Sequence, residues 1–111
     1  GQAFIAEFGD QVPGTGKVLS PVGFKVVRVD IKDGTIEEFA VNRGSENGPA
    51  SRLKTRGLER PVGVKFSPDG SALYIVDFGV LTMDDEGAHP QQGTGVLWRV
   101  TRNTAARAGG Q

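Results

Sequence analysis

A chain of 111 residues has room for one small domain, and a domain of this size buries only about two-thirds of the surface its unfolded form exposes. Thirteen basic side chains balance thirteen acidic ones, so the chain lacks the positive field that nucleic acids and anionic membranes require of a partner. Without cysteine there is no disulfide framework, no thiolate metal site and no cysteine nucleophile. No apolar run approaches the roughly 20 residues of a membrane-spanning helix, and no signal peptide opens the chain. Seventeen glycines and six prolines point to many turns, and the apolar segments are rich in Val, Ile and Phe, which favours an all-β fold.

The first element carries the chain's main internal signal. Ala3 to Phe8 reads as a buried strand, and its segment Phe4-Ile5-Ala6-Glu7-Phe8-Gly9 returns seventy positions later as Tyr74-Ile75-Val76-Asp77-Phe78-Gly79. Each copy is followed by Gly-Thr-Gly, at Gly14 to Gly16 and at Gly93 to Gly95. A repeated strand-plus-loop unit cannot bury its apolar face alone and must stack on copies of itself. The opening residues already belong to the repeated strand, so the chain is expected to be part of a larger modular protein.

After a polar loop, Gly9 to Gly16 with Pro13, a strand from Phe24 to Ile31 alternates Val27, Val29 and Ile31 with Arg28 and Asp30. Asp33-Gly34 has the chemistry of a tight hairpin turn, and Thr35 to Val41 returns as the partner strand. Asn42 to Arg60 is a long polar connection, of the kind that is functional or mobile in compact domains. Pro61 opens the next strand, in which Val62, Val64 and Phe66 are expected on one face. Ser67-Pro68-Asp69-Gly70 makes a turn, and Leu73 to Phe78 is the second copy of the opening strand. Val80 to Gln92 reads as a loop, Val96 to Val100 as the last strand, and the residues beyond it as a frayed tail.

This order predicts an incomplete first blade at 1–41, a connecting loop at 42–60, an incomplete second blade at 61–101 and a tail at 102–111. The blades are the four-stranded antiparallel units of a β-propeller, of which about one and a half to two are present. The first unit shows its last three strands and the second its first three. In such a meander the long segments share one end of the sheets and the tight turns the other, and function belongs to the long-loop end. A compact six-stranded sheet or small barrel is the alternative arrangement.

The segments Arg60-Pro61-Val62-Gly63-Val64, Ser67-Pro68-Asp69-Gly70, Ala72 to Gly79 and Gly95-Val96-Leu97-Trp98-Arg99-Val100 resemble the terminal blades of six-bladed propellers of the glucose/sorbosone dehydrogenase type. Ser-Pro-Asp-Gly followed by a strand ending in Asp also occurs in NHL-type and other non-enzymatic propellers. The resemblance implies a parent that oxidises sugars or related alcohols and aldehydes with pyrroloquinoline quinone (PQQ) and calcium, in the periplasm or outside the cell. It implies a cofactor contact for Arg60, because the family places basic side chains near the propeller axis in its later blades. The other reading of Arg60 is a rim residue paired with an acid. Active members take a histidine base from an earlier blade; the single histidine here, His89, does not match that motif, so no catalytic base carries over.

Asp84, Asp85, Glu86 and His89 form the densest cluster of ligating side chains, and carboxylates on a loop suit a hard cation such as calcium. Their spacing is not that of an EF-hand, and a solvated acidic loop is the alternative. Glu7 and Asp77 occupy the same position of the repeat. An acid there can accept hydrogen bonds from loop amides and hold one blade to the next, or act as a pocket carboxylate in proton transfer. Arg52, Lys54, Arg56 and Arg60 would lie over the propeller mouth, as a solvated basic loop or as partners of an anionic cofactor. Gly14-Thr15-Gly16-Lys17 lacks the spacing and the following helix of a phosphate loop. Phe24, Phe66, Tyr74, Phe78 and Trp98 are expected between blades rather than as sugar-stacking platforms.

Two functions follow. In one, the chain is a fragment or small relative of a PQQ-dependent sugar or aldehyde dehydrogenase, inactive alone and completed by further blades. In the other it is a non-enzymatic binding or scaffold module that completes a ring with identical subunits, three copies of about two blades making six.

Overall fold

The computed structural model describes residues 1–11 and 21–102, so Pro13, the Gly14-Thr15-Gly16-Lys17 segment and most of the expected tail lie outside the described residues. The described elements are β1 (Gln2–Glu7), β2 (Lys25–Asp30), β3 (Ile36–Ala40), α1 (Ala50–Leu53), β4 (Pro61–Phe66), β5 (Ala72–Asp77), β6 (Leu81–Asp84), β7 (Gly87–Pro90) and β8 (Val96–Thr101). The fold is all-β. Antiparallel β1-β2-β3 and β4-β5-β8 form two three-stranded sheets, and β6-β7 is a separate hairpin. The two larger sheets share no strand pairing, so the single six-stranded sheet does not form, and no closed barrel is present among the described residues.

The sheets meet over one core. Val26 from β2 packs with Leu73 and Ile75 from β5 and with Leu58 from the connection, and Phe4, Phe39, Val64, Trp98 and Val100 close around them. Phe4 meets Phe66 edge-on at 5.0 Å and Phe39 at 4.9 Å, spacings at which the ring quadrupoles attract. Phe8 meets Phe78 at 5.6 Å. Aromatic side chains from both copies of the repeat thus lie between the sheets.

The repeat extends further in the structure than along the sequence. In the β1–β2 ladder Gln2 faces Asp30 and Glu7 faces Lys25; in the β5–β8 ladder Ala72 faces Thr101 and Asp77 faces Val96. Every pair of the first ladder maps onto a pair of the second with one fixed offset per strand. Lys25-Val26-Val27-Arg28-Val29-Asp30 is therefore the counterpart of Val96-Leu97-Trp98-Arg99-Val100-Thr101. The unit that repeats is a two-stranded ladder.

Both ladders close through a glycine. Gly9 has φ +99° and Gly79 φ +95°, a backbone region that side chains rarely enter. A Cβ on Gly9 would run into the Phe24 ring, and one on Gly79 would sit 2.5 Å from the Thr94 carbonyl carbon. Gly34, at φ +77° in the β2–β3 turn, has open space around it.

Four expectations change. β2 stops at Asp30, and Ile31 lies in the following turn, 69% exposed, because the Gly34 amide closes the turn on the Asp30 carbonyl. Both faces of β2 are covered at its middle, so Val26 and Val27 are both buried where alternation would expose one of them. In β4 a bulge between Pro61 and Gly63 takes Val62 out of the register that aligns Val64 and Phe66, and half of Val62 is exposed. The stretch expected as a loop after Val80 contains the β6–β7 hairpin, in which Asp84 Oδ1 accepts the Glu86 amide and Gly87 takes φ +122°.

The long connection is built rather than loose. Asn42 donates to the carbonyls of Gly48 and Leu58 and accepts the Leu58 amide, which buckles the segment and drives Leu58 into the core. Asn47 donates to Pro21 and Gly23 carbonyls, tying the connection to the approach to β2. At the far end, Asp69 accepts from the Ser67 hydroxyl and from the amide and hydroxyl of Ser71, which lowers its pKa to about 2.

Two outcomes are expected. Gly79→Ala costs about 3 kcal/mol in chemical denaturation because strain and collision combine, whereas Gly34→Ala costs about 1 kcal/mol, the left-handed backbone penalty alone. Asp69 has its folded pKa depressed, so its stabilisation is present above its unfolded value of 3.8 and is lost as pH falls towards 2. Thermal melts over that window should show a shallower loss for Asp69→Asn than for the parent chain.

Candidate functional site

The three long connections come together at one end of the sheets. Asp10 and Phe24 from the first, Pro49, Ser51, Arg52 and Arg60 from the second, and Val80 to Met83 from the third line a cavity of about 230 Å³. Position in the fold, not proximity in sequence, brings these residues to one place.

Arg60 is the centre of this end. Only 4% of the residue is exposed. Its guanidinium lies between two rings of the first unit, with Cζ 5.0 Å from the Phe8 centroid and 4.9 Å from that of Phe24, a cation–π arrangement from both sides. Nη1 donates to the Gly9 carbonyl at 3.0 Å and, more weakly, to that of Phe8 at 3.5 Å. Burial pulls its pKa down, and the charges of Asp10 and Glu59 pull the other way. Phe24 reaches its ring position through φ +63°, a strained angle for an aromatic residue that its burial and the guanidinium hold in place.

Asp77 fixes the backbone that carries Arg60. One carboxylate oxygen accepts the amides of Arg60 and Gly79 at 2.9 and 3.0 Å, and the other accepts the Glu59 amide at 2.9 Å and Trp98 Nε1 at 3.0 Å. Four donors from three segments converge on one buried carboxylate, and the strand end, the connection and β8 cannot move independently. The repeat supplies no matching hub in the first unit: among the described residues the Glu7 side chain accepts no hydrogen bond, while its carbonyl accepts the Phe24 amide.

The other candidates scatter. Asp84 pairs with His89 Nε2 at 2.8 Å, and this contact with the Glu86 amide bond lowers the Asp84 pKa. Asp85 and Glu86 stand exposed on the same turn, and no three His, Asp or Glu side chains converge as a metal-binding group among the described residues. Arg52 reaches the cavity, Lys54 caps α1 in a left-handed conformation, and Arg56 lies with Arg43, Glu59 and Trp98 along a wider groove. Glu59 accepts the amide and hydroxyl of Ser51, which pins α1 beside Arg60.

Asn42 and Asn47 were not signalled as functional residues by the sequence. The one available cue was their type, since Asn bonds backbone groups in turns. No protein-family model matches the chain, and comparison with curated proteins and with solved structures returns no match.

The hub and the wedge can be told apart by denaturation. Asp77→Ala leaves buried donors unpaired and should cost about 3 kcal/mol or more, Arg60→Met about 2 kcal/mol, and Glu7→Ala within about 0.5 kcal/mol of zero.

Proposed function

We propose that the chain is a scaffold segment of a propeller-type protein: two incomplete blades whose long-connection end forms part of the wall of a small-molecule site and carries out no oxidation by itself. Support comes first from Arg60, a cation offered by the connection and held by the rings and carbonyls of the neighbouring unit. Such a residue serves to set one blade against the next at the end where the long loops gather. The glucose/sorbosone dehydrogenase resemblance supplies the architecture, a ring of blades whose sugar- or aldehyde-oxidising members use a quinone, and in such a ring these two units are wall and support.

The cofactors of that family do not fit these residues well. A quinone carboxylate asks for a basic side chain with open donors, whereas the Arg60 guanidinium is buried, stacked on two rings and bonded to Gly9. Calcium takes about six to eight oxygens, whereas Asp84 is engaged with His89 and the Glu86 amide, and its neighbours do not converge with it. No catalytic step is therefore assigned through either group.

A dye-linked oxidation assay with glucose and simple aldehydes, supplied with PQQ and calcium, checks this reading. The chain should give no dye reduction above the protein-free control, and the quinone absorbance should be unchanged by its addition. Turnover, or quinone binding that Arg60→Met abolishes, would move the function to a cofactor site.

A further inference from the structure

The register of the repeat says what each sheet face is built to meet. On β1 and β2 the residues Phe4, Ala6, Val26 and Arg28 share one face, and that face is turned into the second sheet, where Val26 is fully buried against Leu73 and Ile75. Their counterparts in the second sheet are Tyr74, Val76, Leu97 and Arg99. There the same positions are open: Val76 is 49% and Leu97 65% exposed. The relation inverts on the other faces. Ile75 is 1% exposed inside the core, while its counterpart Ile5 is 46% exposed, beside a Val27 that is already covered. Each unit therefore has one face packed on its neighbour and an opposite face that leaves apolar side chains exposed.

The two open faces complement each other. The second sheet offers the kind of surface that the first sheet offers in the internal contact, and the first sheet, around Ile5, offers the counterpart of the Ile75 surface. Charge agrees: Lys65 and Arg99 lie on the Leu97 face, and the Ile5 face carries Glu7 and Glu38 against one Lys25. We propose that a second copy of this chain docks head to tail, its Ile5 face against Val76 and Leu97, so that the contact between units within the chain is repeated between chains. The proposal rests on the two-unit propeller reading given above. Such a contact is heterologous: it uses different patches on the two partners, and it closes into a ring if the rotation per copy permits.

Light scattering after size exclusion, over a wide concentration range, tests this with the whole chain. The parent chain should run above the monomer mass. Leu97→Glu and Ile5→Glu should each be monomeric with the parent circular dichroism spectrum, and mixing them should restore a dimer and nothing larger, since each keeps one intact face. If Leu97→Glu loses the native spectrum, Val76→Lys on the same face replaces it. A monomeric parent chain overturns the proposal. So does association that survives Ile5→Glu but not Leu97→Glu, because that pattern belongs to a contact pairing the Leu97 face with itself. A monomer that still unfolds in one transition lowered by Arg60→Met leaves the two-unit reading standing; two independent transitions overturn that reading itself.

Discussion

A buried cation sets the geometry of this molecule. An unpaired guanidinium in an apolar interior would be prohibitively costly, yet Arg60 sits between Phe8 and Phe24 with a carbonyl for its proton and acidic charges nearby. The rings, the carbonyl and Asp10 belong to the first unit, Glu59 precedes Arg60 in the connection, and the Arg60 amide is held by Asp77 of the second unit. One residue thus satisfies its polar needs only when both units are folded and in place. The packing of Val26 against Leu73 and Ile75 buries apolar surface between the sheets but is indifferent to direction; the guanidinium, with fixed donors and a required stacking plane, selects one alignment.

The asymmetry between Glu7 and Asp77 follows from the same arrangement. Asp77 has a connection arriving beside it, bringing the Glu59 and Arg60 amides within reach, and the indole of β8 completes the set. Glu7 has the equivalent place on its strand but no equivalent connection among the described residues. Among the described residues the ladder and its closing glycine occur in both units, and the hydrogen-bond hub occurs where a crossing segment supplies donors.

Strand existence was legible in the sequence wherever alternation or a turn signal was strong, as at Val27 to Val29 and at Ser67 to Gly70. What could not be read was set by three-dimensional neighbours. Val26 and Leu97 are both apolar strand residues, and only the placement of the sheets makes one buried and the other open. The second half of the repeat was hidden because Val27 corresponds to Trp98, a change of size that masks the common register. The β6–β7 hairpin was obscured by an acidic turn that resembles a solvated loop, and the built character of the long connection depends on Asn42 and Asn47, whose bonds span distances in sequence that no local pattern reports. For the site, the sequence supplied Arg60 and Asp77 as residues worth attention; their partnership through one amide belongs to the fold.

The β6–β7 hairpin stands apart from both larger sheets, tied at its base by the Gln91 amide on the Val80 carbonyl and the Val80 amide on the Thr94 hydroxyl. Its Asp85-Glu86 tip lies outside the core and outside the residues around Arg60, while Leu81 at the root and Met83 nearer the turn border the cavity. For protein engineering this makes the Asp85-Glu86 tip a grafting position, where a foreign recognition sequence would be displayed at the long-connection end, on a hairpin that pairs with neither of the larger sheets.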